Sequence, residues 1–275
     1  KESSAASDVY KRQTLAFVNP GDEVLIPNPG YPTYRSLSTL LGAKVIDYNL
    51  TDDNNWQLDF DELENLVSKK TKLIWVNYPH MPTGSPSDTS KMEQLVTFAK
   101  KHNILICHDN PYSLVLNKTL PQSIFQLDGA KDVAIELNSL SKSHNMAGWR
   151  LGMILANKLI IESLLRVKSN IDSGIFKGTQ YAAIQALKPN SLWHEKRNTT
   201  YSERQSWVFK IYDLLNISYD RDQLGMFVWG TPEKDSPARD INKFINTCLN
   251  DLHIFFTPGE IFGSNGQNYL RASLC

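Results

Sequence analysis

Short apolar stretches alternate with amphipathic ones through the first half of the chain. Apolar runs predict β-strands at residues 23–27, 44–49, 72–78, 104–107, 133–137 and 152–156. Apolar residues at helical spacing predict helices between them, at residues 31–41, 59–68 and 88–102. Strands that are apolar on both faces and alternate with helices are typical of a covered parallel sheet. We therefore expect an α/β fold with a mostly parallel sheet flanked by helices.

The pattern changes near residue 158. Three helices are predicted first, at residues 158–170, 175–188 and 191–216. Strands are then predicted around a helix at 237–250, namely at residues 225–229, 254–257 and 269–273. This order predicts a smaller C-terminal α+β domain. We place the large domain at residues 14–205 and the small domain at residues 206–275, hinged on the long helix.

Both ends of the sequence look incomplete. Residues 3–13 have no apolar periodicity, and residues 8–13 resemble a translated sequencing adaptor, so we treat 3–13 as non-native and leave them out of the fold prediction. Residues 268–275 stop inside a predicted strand. We therefore expect a chain that is truncated at both ends, with both domains incomplete.

Composition narrows the class of protein. The 29 Lys and Arg residues balance 29 Asp and Glu residues, and zero net charge gives no reason to expect nucleic acid or an anionic membrane as a partner. No apolar run approaches the roughly 18 residues of a membrane span. Cys107, Cys248 and Cys275 are far apart, which favours reduced thiols in a cytoplasmic protein. The histidines show no metal-ligand spacing, so no metal site is expected.

Polar side chains follow several of the predicted strands. They include Tyr31, the segment 77–84, the segment 109–112, and Ser139 with Lys142. Ligands of open α/β sheets bind outside the carboxyl ends of the strands. We therefore expect these groups to converge on one crevice.

The segment 139–152 carries the strongest chemical signal. Lys142 follows a buried strand, where an ammonium loses hydration, so its pKa falls and the amine becomes a usable nucleophile. Arg150 offers a fork of donors suited to phosphate, and Ser139 adds a hydroxyl. A nucleophilic lysine beside phosphate-binding groups is what pyridoxal phosphate requires. The alternative is a surface loop with ordinary charges.

Together these residues resemble a known family. The Ser-x-Ser-Lys turn followed by Gly-x-Arg-x-Gly is similar to the class I/II aminotransferases, pyridoxal-phosphate enzymes of fold type I. The resemblance runs from about Thr14 to the end of the chain. The motifs Pro-Gly-Tyr-Pro-Thr-Tyr and Asp-Asn-Pro-Tyr are most like the branch that contains diaminopimelate and alanine aminotransferases. The resemblance implies amino acid and 2-oxo acid substrates and a homodimer when the protein is full length.

The resemblance implies catalytic roles for three residues. Lys142 would hold the cofactor covalently and then, once the substrate displaces it, would move the proton of the substrate Cα. Asp109 would pair with the pyridine nitrogen, and its carboxylate would stay ionised against that cation. Tyr112 would hydrogen-bond the phenolic oxygen of the cofactor. Taken alone, an aspartate in the position of Asp109 is more often a helix cap or a turn former, and Tyr112 could equally be a half-buried aromatic.

The resemblance implies binding roles for four further residues. Tyr31 would stack on the cofactor ring, and Ser139 with Arg150 would hold its phosphate. Arg271 would bind the substrate α-carboxylate in a bidentate pair. The ordinary alternatives are a half-buried tyrosine, a serine that caps a turn and a surface arginine.

One residue departs from the family pattern. The family usually has asparagine immediately before Pro-Thr-Gly, where its side chain donates to the phenolic oxygen of the cofactor. This sequence has Met81, whose thioether cannot donate. The resemblance then leaves Tyr112 as the donor, with Asn77 or His80 as nearby candidates.

These observations predict a pyridoxal-phosphate-dependent aminotransferase. A carbon–sulfur β-lyase on the same scaffold remains an alternative, because β-elimination uses the same lysine and electron sink. A non-catalytic aminotransferase-like sensor domain is the alternative outside enzymes, although no helix-turn-helix or basic segment is visible in the sequence.

Overall fold

A six-stranded sheet forms the centre of the larger part of the molecule. The computed structural model describes residues 5–171, 174–188 and 191–275. The strands of this sheet are β1 Glu23–Asn28, β2 Lys44–Asn49, β3 Thr71–Asn77, β4 Leu105–Asp109, β5 Ala134–Ser139 and β6 Gly152–Leu155. Their order is β2-β1-β3-β4-β5-β6, and all neighbours are parallel except β5 and β6, which are antiparallel. The predicted mostly parallel sheet is confirmed.

Helices lie along both faces of this sheet because alternate strand residues are apolar on each face. The helices of this part of the molecule are α1 Ala5–Phe17, α2 Pro32–Leu40, α3 Phe60–Leu66, α4 Thr89–His102, α5 Ala130–Val133, α6 Leu140–Ser143 and α7 Lys158–Ile171. On β3, Leu73 and Trp75 join one apolar cluster, whereas Ile74 and Val76 join the other. This period of two explains the continuous apolar run in the sequence.

Local sequence signals set where several helices begin. Asp88 accepts a hydrogen bond from the Lys91 amide at the start of α4, and Asp59 caps α3 in the same way. Pro32 occupies the first turn of α2, where its missing N–H costs no hydrogen bond. The bounds predicted for these helices are confirmed to within a few residues.

The C-terminal part contains a second, antiparallel sheet. The helices and strands of this C-terminal part are α8 Lys177–Ala186, α9 Ser191–Leu214, β7 Ile217–Ser218, β8 Phe227–Pro232, α10 Ile241–Leu252, β9 Thr257–Pro258 and β10 Leu270–Ser273. The strand order is β7-β8-β10-β9. The predicted α+β character is confirmed, and the division at residue 205 stays a prediction. The strand predicted at 254–257 is wrong for 254–256, because His253 ends α10 in a left-handed conformation and the Ile254 amide bonds back to Cys248.

The segment excluded as non-native takes part in the fold. Residues 5–17 form α1, Tyr10 is 5% exposed, and Gln13 is fully buried against Cys107. Leaving residues 8–13 out of the fold was therefore wrong, because α1 packs against α2 and α7. The non-native origin of this segment stays a prediction, and residues 3 and 4 lie outside the described residues.

Within the residues that the structure describes, every helix is too short or too polar to cross a lipid bilayer.

The packing of α4 on the sheet predicts a stability difference between two Leu→Ala substitutions. Leu95 is fully buried, whereas Leu40 at the end of α2 is 75% exposed. We expect Leu95→Ala to lower the free energy of unfolding by about 2 to 5 kcal/mol, because it leaves a cavity. Leu40→Ala should change it by less than about 0.5 kcal/mol. Urea unfolding followed by tryptophan fluorescence measures both, and equal effects would contradict the packing described here.

Candidate active site

A cavity of about 290 Å³ opens at the carboxyl edge of the six-stranded sheet. All the side chains proposed from the sequence for catalysis and binding line it, namely Tyr31, Asp109, Tyr112, Ser139, Lys142, Arg150 and Arg271. The strand ends therefore converge as expected for an open α/β sheet. The individual roles of these residues stay predictions.

The antiparallel pairing of β5 and β6 brings Lys142 and Arg150 to the same cavity. Ser139 pairs with Gly152, and the Leu140 amide bonds to the Leu151 carbonyl at 3.2 Å, so the segment between them is a closed loop. Lys142 lies on the short helix α6 at the start of this loop. Arg150 lies near its end with φ 55°, a conformation uncommon for a non-glycine residue.

Burial lowers the pKa of the Lys142 amine, and the nearby guanidinium groups of Arg271 and Arg150 lower it further. The side chain is half-buried and lines the cavity. A depressed pKa leaves a larger fraction of the amine uncharged, and the uncharged amine is the nucleophilic form. The environment therefore suits the covalent role predicted for Lys142.

Asp109 ends β4 and is almost completely buried. Its Oδ2 atom accepts hydrogen bonds from the hydroxyl groups of Tyr34, at 2.6 Å, and Tyr10, at 2.8 Å. Burial raises the pKa of the carboxyl group to about 6, although both tyrosine hydrogen bonds act to lower it. A cationic ring nitrogen in the cavity would favour the ionised form. Asp109 is thus suited to bind such a nitrogen.

Several donors in the cavity have no partner within the described chain. They are Ser141 Oγ, the Nε and Nη2 atoms of Arg150, and Arg271 Nε, all of them buried. Buried donors left unpaired cost free energy, so an arrangement of this kind fits an anionic ligand. Ser141 and Arg150 fit a phosphate. Ser139 instead caps α6, where its hydroxyl accepts from the Ser141 amide at 3.2 Å.

Arg271 lies on β10 and reaches the same cavity from the second sheet. Its Nη1 atom is 3.3 Å from Met81 Sδ, its Nη2 atom is 3.4 Å from Thr257 Oγ1, and its guanidinium stacks 3.8 Å from the centre of the Phe227 ring. A thioether and a distant hydroxyl are weak acceptors. The guanidinium therefore keeps donors free for a substrate carboxylate.

The donors that the sequence suggested near Met81 differ in what they already bind and in whether they line the cavity. Asn77 donates to the Asp109 carbonyl at 2.7 Å and accepts from the Met81 amide at 2.8 Å. His80 contacts Thr83 Oγ1 at 2.8 Å and does not line the cavity, although its Nε2 atom is unpaired; burial lowers the pKa of its imidazole to about 3. The Tyr112 hydroxyl lines the cavity, and burial raises its pKa. Of the donors that the sequence suggested, Tyr112 is thus the one that stays available.

Three residues that contribute to this site were missed from the sequence. Tyr10 donates to Asp109 from α1, in the segment that was left out of the fold prediction. Tyr34 supplies a hydrogen bond to Asp109 from α2, and Ser141 supplies an unpaired hydroxyl next to Lys142. Ser141 belongs to the Ser-x-Ser-Lys turn and could have been identified there. Tyr34 ends the Pro-Gly-Tyr-Pro-Thr-Tyr motif, but that motif gives no sign of the bond to Asp109, which is 75 residues away in the chain.

A lysine with a lowered pKa, a buried acid, and a serine and an arginine with unpaired donors lie in one cavity, and this set of groups fits pyridoxal phosphate. Comparison with known proteins agrees. The family model for aminotransferase class I and II matches residues 6–275, and the chain belongs to this family. The family, the enzyme class and the cofactor predicted from the sequence are thereby confirmed.

Relatives and solved structures support the same assignment. The chain is 40% identical to LL-diaminopimelate aminotransferase of Aquifex aeolicus, over 94% of this chain and 67% of that protein. It is 38% identical to LL-diaminopimelate aminotransferase 2 of Trichormus variabilis, over 99% of this chain and 69% of that protein. Substrate-bound BacF from Bacillus subtilis superposes with a TM-score of 0.92 at 33% identity, covering 98% of this chain and 69% of BacF. The chain thus spans about two thirds of the length of these proteins.

The raised pKa of Asp109 predicts a pH-dependent stability for the cofactor-free protein. The Asp109 pKa is about 6 in the folded chain and near 3.8 in the unfolded chain, so at pH values between these two the folded chain binds more protons. The stability contributed by protonated Asp109 is therefore present below about pH 4 and is lost as the pH rises through about 6. At pH 7, Asp109→Asn should have a higher free energy of unfolding than the parent protein, by at most about 3 kcal/mol. At pH 4 the two proteins should differ little. Urea unfolding at both pH values measures the difference.

The exposed Asp222, paired with Lys118, provides the control, since Asp222→Asn should show no such difference. An Asp109→Asn variant that is less stable than the parent at pH 7 would contradict the raised pKa.

Proposed function

We propose that this protein transfers an amino group between an L-amino acid of the diaminopimelate class and a 2-oxo acid. The observation that carries the proposal is the convergence of Lys142, Asp109 and two incompletely paired arginines on one cavity. The names of the curated relatives favour diaminopimelate as the amino donor.

Each of these residues has a distinct task in the proposed mechanism. Pyridoxal phosphate, when bound, supplies an electron sink for the electrons left when the substrate Cα loses its proton. Asp109 would bind the ring nitrogen and keep it protonated. Ser141 and Arg150 would hold the phosphate at the loop between β5 and β6, while Ser139 caps α6 at the start of that loop.

Lys142 and Arg271 would act on the substrate itself. Arg271 would orient the α-carboxylate from the opposite wall of the cavity, so that the Cα–H bond faces Lys142. The Lys142 amine, with its lowered pKa, would accept the proton of the substrate Cα and would deliver it to C4′ of the cofactor. Tyr112 would donate to the phenolic oxygen of the cofactor. The apolar walls formed by Phe227 and Met81 would exclude water from these steps.

Assembly and location are part of the proposal. We expect a homodimer when the protein is full length, as the resemblance to the family implies. The cysteines are unpaired, with Cys107 and Cys248 buried, which supports a reducing cytoplasmic location.

A substrate panel tests the proposed reaction. Amino acids with one and two carboxylates would be added to the cofactor-loaded protein while the absorbance of the bound cofactor is followed. Diaminopimelate should give the fastest change, and a 2-oxo acid should reverse it. Release of pyruvate from cysteine or cystathionine without an oxo acid would instead support the carbon–sulfur lyase, and no spectral change with any amino acid would support a sensor.

Replacing the nucleophile should abolish turnover. We expect Lys142→Ala to lose at least about 10⁴-fold in kcat, because both the covalent link and the proton transfer are removed. Lys158→Ala, at an exposed position, serves as the matched control. Borohydride reduction of the loaded parent protein followed by peptide mapping should place the cofactor on Lys142. A cofactor attached to another lysine, or near-normal turnover by Lys142→Ala, would overturn the assignment.

Removing the carboxylate-binding arginine should act mainly on substrate binding. We expect Arg271→Ala to lower kcat/KM by about 10²-fold through a higher KM, since charged hydrogen bonds contribute about 1.5 to 3 kcal/mol each. Arg221→Ala, which removes an exposed ion pair with Asp213, is the control. Steady-state kinetics with varied amino acid measure the effect. A lower kcat at unchanged KM would show that Arg271 does not bind the carboxylate.

A further inference from the structure

A buried arginine on α9 links two segments of the active site. Arg197 is 6% exposed, and its Nη1 and Nη2 atoms donate to the main-chain carbonyls of Ser143 and Leu114. Ser143 directly follows Lys142, and Leu114 lies two residues after Tyr112. One planar guanidinium therefore joins the segment that carries the amine to the segment that carries the phenol.

Asn198 completes this link. Its Oδ1 atom accepts from Arg197 Nη2 at 2.9 Å and from the Leu116 amide at 3.3 Å, while its Nδ2 atom donates to the Leu114 carbonyl at 3.2 Å. One turn further along α9, the Tyr201 hydroxyl donates to Asn145 Oδ1 at 3.1 Å. The same stretch of α9 thus holds both active-site segments through directional hydrogen bonds.

The partners of Arg197 indicate that its geometry matters more than its charge. Its acceptors are neutral carbonyl and amide oxygens, and it lies 5.5 Å from the centre of the Trp193 ring. Burial lowers the pKa of its guanidinium, so keeping the charge there has a cost. A guanidinium offers donors in a rigid fork, which can fix the distance between two carbonyls, whereas an ammonium is a point charge.

We propose that Arg197, supported by Asn198, is a positioning residue that fixes Lys142 relative to Tyr112. This inference rests on the proposed function, because it assigns Arg197 a task in the same reaction. Arg197 does not line the cavity and acts through the main chain of the two segments. A displacement of about 1 Å between reacting groups can cost on the order of 10²-fold in rate. Loss of the fork should therefore lower kcat.

The expected kinetic effect differs from that of a binding residue. Arg197→Met keeps an unbranched side chain of similar length but removes the donors. We expect kcat to fall about 10- to 100-fold with little change in KM, because Arg271 lies on β10 and keeps its contacts. Arg197→Lys restores the charge without the fork and should recover only part of kcat. Arg239→Met is the matched control, since exposed Arg239 also donates to a main-chain carbonyl, that of Pro232, and should leave kcat unchanged.

A second measurement uses the cofactor-free protein. The pH dependence of Lys142 labelling by an amine-reactive reagent, read by mass spectrometry, reports the pKa of its amine. Loosening the segment that carries Lys142 should hydrate the amine and move this midpoint upward, towards that of an exposed lysine. The midpoint should move in Arg197→Met and stay in place in Arg239→Met.

The outcomes separate the two proposals. If Lys142→Ala is inactive while Arg197→Met matches the parent protein in kcat and in the labelling midpoint, the positioning role is wrong and the proposed function stands. If Arg197→Lys fully matches the parent, charge and not the fork is what matters, and the proposal also fails. If Arg197→Met does not fold, Asn198→Ala replaces it and should lower kcat by several-fold at unchanged KM; no change in that variant would overturn the proposal.

Discussion

The structure depends on burying both faces of a parallel sheet. Strands such as β3 present Leu73 and Trp75 to one face and Ile74 and Val76 to the other, so helices must cover both sides. Chains that cross over such a sheet bring the carboxyl ends of its strands to one edge. The cavity lies at that edge, where the polar side chains that follow the strands meet. The hydrophobic pattern thus determines where the polar chemistry is located.

Within the cavity, burial acts in opposite directions on the acid and the amine. It raises the pKa of Asp109 and lowers the pKa of Lys142, so it favours the uncharged form of each. The guanidinium groups of Arg271 and Arg150 lower the pKa of the amine further. An anionic ligand with a cationic ring nitrogen would pair with these arginines and with Asp109. The cost of burying these groups is offset only when such a ligand is present.

Much of the fold could be predicted from local patterns, and much of the site from the positions of polar residues after strands. What could not be predicted depends on contacts between distant residues. The helix α1 was missed because residues 8–13 have no apolar periodicity, although Tyr10 and Gln13 are buried by tertiary packing. The hydrogen bond from Tyr34 to Asp109 and the contact between Arg271 and Met81 likewise join residues far apart in the chain. No local spacing encodes such pairs.

The long helix α9 shows why a mostly polar element can be required for a site it does not line. The sequence alone predicted a long helix at residues 191–216 and suggested a hinge as its role, which is not a task in the site. In the structure, Arg197 and Asn198 donate to main-chain carbonyls that follow Lys142 and Tyr112. Loops that carry catalytic groups have few backbone hydrogen bonds of their own, so their precision must come from a rigid neighbour. A helix that donates into both loops provides that precision while leaving the cavity open to substrate.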